Sequence, residues 1–334
     1  MRYSVYSALV MVLVWAALGL LASRDSPASS PAERLASVPT AETAAAPQAQ
    51  AAEEVPGFDQ SYRLPVLVED TVVRMALHDY LTGVVLAEMP VSFAEEALKA
   101  QAAACRTYAL RSCRHRRHEE AAVCTDSGCC QGWRDPDTAD PAARARAEAA
   151  VSATDGLVIC YNGELIDATF FSCSGGRTEA AAAVWGSELP YLQAVDSPGE
   201  EAAAHFADET RVPLERFRAA LEALDPELRL PDDPGAWIGG WTETPGGGVE
   251  ELLLGGRPFR GTVLRKAFGL RSTVFTLELT PEEAVFTTRG YGHRVGMSQY
   301  GADAMARAGN DWETILKWYY TGVEIVSAAE VTGG

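Results

Sequence analysis

Residues 157–171 read LVICYNGELIDATFF. Apolar and polar side chains alternate on both sides of Asn162-Gly163, a dipeptide that readily takes the positive φ values of a two-residue turn, so the stretch predicts a β-hairpin. Upstream, Ser92-Phe-Ala-Glu95 has the spacing of a capping box, and Phe93, Ala97, Ala100, Ala104 and Tyr108 recur at helical intervals. That pattern predicts a long helix ending near Cys113, with small alanines that allow close packing. Before it, Val66 to Ala76 predicts a valine-rich strand and His78 to Ala87 a short helix stopped by Pro90, because a residue preceding proline avoids helical dihedrals. Downstream, Leu214 to Leu224 predicts a helix; Glu250 to Leu254, Gly261 to Phe268 and Ser272 to Leu279 predict strands. Two helices close the chain: Ser298 to Ala308, stopped by Gly309, and one whose apolar face carries Trp312, Ile315, Leu316 and Tyr319, ended by Gly322. Strands and helices mix without a repeating βαβ rhythm, so the expected fold class is α+β.

The chain has 334 residues, 47% hydrophobic and 22% charged, which excludes wholesale disorder and fibrous repeats. Setting the two ends aside leaves residues 58–330 and room for one core. Tyr3 to Ala22 is an almost uninterrupted apolar stretch, about 20 residues long and able to cross a bilayer, so residues 1–23 are expected to be a transmembrane helix. A cleaved signal peptide is the rival reading, disfavoured by length. Arg2 flanks the stretch, which places the remainder outside the cell membrane. Residues 24–57 are rich in Ala, Pro, Ser and Glu and poor in large apolar side chains, the composition of a disordered linker. A formal net charge of -18 argues against nucleic acid as a partner, the one basic cluster being Arg111 to Arg117. Seven cysteines cannot all pair within one extracytoplasmic molecule.

Glu88 sits at a helix C-terminus between apolar neighbours, where the helix dipole and desolvation both favour a protonated carboxyl. A general acid needs that state; a solvated helix-end glutamate is the bland alternative. Lys99 and Arg106 lie seven residues apart on one helical face and could stabilise negative charge. The loop Phe171-Ser-Cys-Ser-Gly-Gly-Arg-Thr178 offers hydroxyls and amides to a polar ligand, or is simply a turn. Gly290-Tyr-Gly-His-Arg-Val-Gly-Met-Ser-Gln-Tyr-Gly301 lacks the Gly-Lys-Ser/Thr of a nucleotide-binding loop, and His293 within it is a ligand, a base or a satisfied loop histidine. His118, Cys124, Cys129 and Cys130 match a closed tetrahedral zinc site, or a local disulfide with a free thiol.

These segments together resemble the stage II sporulation protein D and amidase-enhancer family. The resemblance is carried by DYLTGVVLAEMPVSFAEEALKAQAAACRTYAL, FSCSGGRTE, VWG, YLQAV, GTVLRKAFGLRSTVF and GYGHRVGMSQYGADAMARAG with its YYTG ending, and spans about Leu64 to Ile325. It implies a membrane-anchored peptidoglycan lytic transglycosylase, one mixed α/β domain with a glycan-binding cleft, acting in forespore engulfment during sporulation. In that family the glutamate of the AEMP segment is the acid/base, which falls on Glu88. Lys99, Arg106, Ser172, Ser174, Gly175, Thr178, His293, Ser298 and Gln299 are then the expected glycan contacts. The His118–Cys130 segment resembles a zinc cluster of two histidines and two cysteines, with Cys129 where a histidine is expected, so the resemblance favours a structural zinc. A preference for strands stripped of stem peptides implies a cell-wall amidase acting first, alongside membrane engulfment proteins. Two other readings are a non-catalytic glycan-binding enhancer of an amidase and a metal-dependent wall hydrolase.

Overall fold

The computed structural model describes residues 56–332, so the expected anchor and all but the end of the linker lie outside the described residues. Among the described residues no helix is long and apolar enough to cross a membrane. A single turn, α1 (Phe58–Ser61), leads into β1 (Arg63–Val68) and β2 (Thr71–Ala76), an antiparallel pair. The single strand expected over 66–76 is therefore a hairpin: Glu69 takes a φ of 52° and reverses the chain.

Helix α2 (Leu77–Glu88) follows, then α3 (Glu95–Arg114), close to their expected limits. The capping box does not form. Ala94 is the N-cap of α3 and supplies no side-chain bond. Its N–H donates at 2.7 Å to the carboxylate of Asp303, which belongs to a distant helix. A negative charge at a helix N-terminus is favourable whichever part of the chain supplies it. Ala97, Ala100, Ala103 and Ala104 are fully buried, and their small side chains let neighbours approach α3 from several sides.

β3 (Val123–Cys124) pairs in parallel with β1, and α4 (Pro141–Ala153) is capped by Asp140, whose carboxylate accepts from the N–H groups of Ala142 and Ala143. The expected hairpin forms from β4 (Leu157–Tyr161) and β5 (Glu164–Leu165); φ is 51° at Asn162 and 79° at Gly163, as a tight two-residue turn requires. β6 (Phe170–Phe171) and α5 (Ala181–Trp185) complete the first half.

Residues 207–289 build a second core within the same compact unit, where the sequence predicted one. Its elements are β7 (Ala207–Pro213), α6 (Leu214–Leu224), β8 (Ile238–Glu243), β9 (Val249–Leu254), β10 (Arg257–Arg260), α7 (Gly261–Phe268), β11 (Val274–Leu279) and β12 (Glu283–Arg289). The strands form two sheets, ordered β10-β9-β8 and β11-β12-β7. Phe286 lies 5.9 Å from Phe217, 5.2 Å from Phe268 and 5.4 Å from Phe275, ring centre to ring centre. Each such ring fully buried contributes about 1.5–3 kcal/mol, enough for this unit to carry its own core. Residues 261–268 are a helix, not the expected strand: Leu264 is buried, Phe268 packs on the second core four residues on, and Gly269 ends the helix with a φ of 65°.

The chain then returns to the first core through β13 (Met297–Ser298), parallel to β6, then α8 (Gln299–Arg307) and α9 (Trp312–Tyr319). β14 (Glu324–Ser327) pairs with β4, and α10 (Ala328–Thr332) closes the described chain. The α+β class holds: small sheets and helices share one unit without a βαβ repeat.

Candidate active site

Where α2 ends, the backbone turns extended at Met89 ahead of Pro90, and this stop leaves Glu88 at the wall of a cleft of about 460 Å³. The β6 strand and the loop after it contribute Phe170, Phe171 and Ser172; the loop before β13 contributes Tyr291 and His293; α3 contributes Tyr108. Gln299 opens α8 and lines the cleft with them. Among the described residues, Glu88 is the only carboxyl that lines the cleft.

Glu88 is held at both ends. Its carboxylate accepts from the N–H of Gly132, and its backbone carbonyl accepts from the Gln299 amide at 3.0 Å. Burial raises its pKa, while the Gly132 hydrogen bond acts in the opposite sense. Beneath it, Gln101 lies 3.5 Å from Gln299, and the Tyr80 hydroxyl donates to Gln131 at 3.2 Å. Gln131 lines the cleft, and its side-chain NH₂ is buried with no hydrogen-bond partner among the described residues.

His293 is half-buried against Phe171 and Trp185, with ring centres 5.7 and 5.4 Å away. Its Nδ1 accepts from the Val295 N–H at 3.1 Å, which leaves the proton on Nε2. Burial, with help from the charge of Arg265, pushes its pKa down to about 4. At neutral pH it is an uncharged donor rather than a cation.

Of the expected glycan contacts, Ser172, His293 and Gln299 line the cleft beside Glu88; the others do not. Arg106 is wholly buried, its guanidinium bound to Asp59 at 2.9 Å, to the Thr154 hydroxyl and to the carbonyls of Val151 and Leu157. Lys99 is tied on its own helix to Glu95 at 2.7 Å and Glu96 at 2.8 Å. Ser174 and Gly175 wrap an internal carboxylate: the Ser174 N–H, the Ser174 hydroxyl and the Gly175 N–H all donate to Glu200, at 2.7, 2.8 and 3.0 Å. Thr178 is buried and bonded to Val195 at 2.8 Å. Ser298 is buried as the N-cap of α8, its hydroxyl accepting from the Gly301 N–H. Tyr108, Gln131 and Tyr291 were missed by sequence reasoning; only Tyr291, beside His293 in a glycine-rich loop, carried a signal that could have found it.

His118, Cys124, Cys129 and Cys130 come together, their ligand atoms all within 4.8 Å of one another. His118 Nε2 is 3.6 Å from Cys129 Sγ and 3.4 Å from Cys130 Sγ, and the two sulfurs are 3.9 Å apart. A tetrahedral zinc with bonds of about 2.3 Å to sulfur and about 2.0 Å to nitrogen requires edges of about 3.8 and 3.5 Å, which the His118, Cys129 and Cys130 atoms match, with the Cys124 sulfur within 4.8 Å of each. They do not fit a disulfide between Cys129 and Cys130, which needs about 2.05 Å. The cluster could therefore hold a metal such as zinc. It adjoins the cleft: Cys130 lines it, and Gly132, two residues on, is the donor to Glu88.

The Stage II sporulation protein family model matches residues 68–161. The chain is 34% identical to stage II sporulation protein D of Bacillus subtilis (strain 168), over 88% of this chain and 87% of that protein. It is 34% identical to stage II sporulation protein D of Bacillus amyloliquefaciens, over 77% of this chain and 76% of the other. It is also 29% identical to the amidase enhancer of Bacillus subtilis (strain 168), over 74% of this chain and 40% of that longer protein.

Proposed function

Because the chain belongs to the stage II sporulation protein D family, we propose that it is a lytic transglycosylase that processes cell-wall peptidoglycan during sporulation. The bond cleaved is the β-1,4 link between N-acetylmuramyl and N-acetylglucosaminyl units. The observation that carries this reading is a cleft in which Glu88, the one carboxyl among the described lining residues, is half-buried with a raised pKa. Glycoside hydrolases of the two-carboxylate kind need a second acid about 5–9.5 Å from the first, as nucleophile or as base for water. The cleft supplies none among its lining residues. One carboxyl suffices when the substrate brings its own nucleophile. Protonated Glu88 gives its proton to the glycosidic oxygen as the bond to the muramyl anomeric carbon breaks. The resulting carboxylate then takes the proton of the muramyl 6-hydroxyl, whose oxygen closes on that carbon as a 1,6-anhydro ring. Glu88 ends protonated and ready for another cycle.

Neutral His293 and the unpartnered Gln131 amide are suited to hydroxyl and acetamido oxygens of the sugars, and Ser172 and Gln299 flank Glu88 in the same wall. His118, Cys124, Cys129 and Cys130 would hold zinc. Four protein ligands leave no open position, so the ion's contribution is to fix the loop carrying Gly132. In this reading the protein is anchored in the cell membrane through residues 1–23 and acts outside it during forespore engulfment. An amidase removes stem peptides first, and membrane engulfment proteins are its neighbours.

Incubating denuded glycan strands with the protein should yield anhydro-muramyl ends by mass spectrometry, and Glu88→Gln should yield none. Equal product from both would end the proposal. A second reading, a glycan-binding enhancer of an amidase, is favoured by the identity to the amidase enhancer. It predicts that Glu88→Gln stimulates a purified amidase at full strength.

A further inference from the structure

Helix α7 borders a second cavity of about 460 Å³, lined by Thr262, Arg265, Lys266, Gly269 and Leu270. The chain carries a formal net charge of -18, yet among the described residues this cavity gathers two cations that no carboxylate pairs. Arg265 is half-buried, and its Nε donates to the Leu270 carbonyl at 3.3 Å. Its two terminal nitrogens have no partner among the described residues. Burial lowers its pKa, and the nearby Tyr291 hydroxyl acts in the opposite sense. Cations in a last helical turn complement the helix dipole, but that interaction is worth little at a surface and does not require burying a guanidinium. The cavity lies next to the cleft: Arg271, the residue after Leu270, accepts the Gly292 N–H on its carbonyl at 3.0 Å and sets its guanidinium 4.8 Å over the Tyr291 ring, and Gly292 and Tyr291 both line the cleft. Arg265 is close enough to act electrostatically on both His293 and Tyr291, which line it.

Resting on the glycan-strand reading of the cleft, we propose that this cavity is an anion subsite for the lactyl carboxylate of a muramyl residue bound beyond His293. A planar guanidinium with two free nitrogens matches a carboxylate bidentately, Lys266 adds a second charge and Thr262 a hydroxyl donor. A stem peptide turns that carboxylate into a neutral amide and removes what the cations attract. Selection of strands with free acids is then built into the second core, apart from the acid/base chemistry at Glu88.

The test measures binding to the full-length chain carrying Glu88→Gln, so that the strand is not consumed. The probes are denuded strands with free carboxylates, the same strands after conversion of those groups to methylamides, and a glycerol-phosphate polymer. Free-acid strands should bind tighter than amidated ones, and increasingly so at low salt. Arg265→Gln and Lys266→Gln should each weaken free-acid binding by about threefold to tenfold, with amidated binding unchanged. Lys266→Arg should restore it. Equal affinity for acid and amide strands, or no loss in the doubly substituted chain at unchanged thermal midpoint, overturns the subsite. Preferential binding of the phosphate polymer, lost in the same variants, overturns the assignment to the glycan carboxylate. If the chain with Glu88 intact cleaves strands while these contrasts are absent, only the subsite fails; if it cleaves none, the transglycosylase reading fails.

Discussion

The backbone N–H of Gly132 donates to the side chain of Glu88, joining the loop that follows the metal ligands to the last residue of α2. A β-carbon at position 132 would stand 3.0 Å from the Glu88 oxygen that accepts this bond. Gly132→Ala should therefore push the carboxyl out of line. The expected outcome in steady-state kinetics is a fall in kcat of about tenfold with KM within about twofold, because orientation and not binding is disturbed. An unchanged kcat would show that the contact does not position Glu88.

The raised pKa of Glu88 has a sign that can be tested. The folded chain holds this proton more tightly than the unfolded chain does. Glu88 thus supports the fold fully below its ordinary pKa of about 4.3, and the support is lost as pH rises toward the folded value. Glu88→Gln stays neutral throughout. By scanning calorimetry, the variant should gain on the wild type across that window, by roughly 1–3 °C in Tm, and should not gain below it. The activity of the wild type should decline over the same window. A Tm difference that is flat with pH would contradict the shift.

Zinc removal should act through the same loop. With His118, Cys129 and Cys130 at tetrahedral distances and Cys124 within 4.8 Å of them, a chelator should lower Tm by about 5 °C or more and reduce kcat secondarily. Cys129→Ser should do the same without chelator. Elemental analysis should find about one zinc per chain. A chelated protein with unchanged Tm would remove the metal from the account.

Arg106 offers a contrast between two roles. It is fully buried against Asp59, so Arg106→Gln should destabilise the fold by about 3–5 kcal/mol in urea unfolding by leaving the Asp59 charge uncompensated. KM for strands should not change in whatever fraction folds. A stable variant with a raised KM would restore Arg106 to the glycan surface.

The pattern of what could be read follows how local each interaction is. The Asn162-Gly163 hairpin and the helices α6, α8 and α9 depend on neighbours a few residues away, and their limits were legible. The start of α3 depends on Asp303, 209 residues distant, which no capping box encodes. Helical spacing put Lys99 and Arg106 on one face but could not tell whether that face looks inward, since the partner of Arg106 lies 47 residues upstream. GTVLRKAF, expected as a strand, is a helix because Leu264 and Phe268 reach the second core together at helical spacing. The place of Glu88 at the end of α2 was legible from the apolar residues around it and from Pro90, whereas its bond to Gly132 depends on a residue 44 positions on.

In the proposed reaction the substrate's own hydroxyl, and not water, attacks the muramyl carbon. Cleaving denuded strands in heavy-oxygen water and weighing the new muramyl ends tests it directly. Unlabelled anhydro ends, absent with Glu88→Gln, are the predicted result. Ends that carry the heavy oxygen would mean that water is the nucleophile and that a second base, not seen among the residues lining the cleft, does the work.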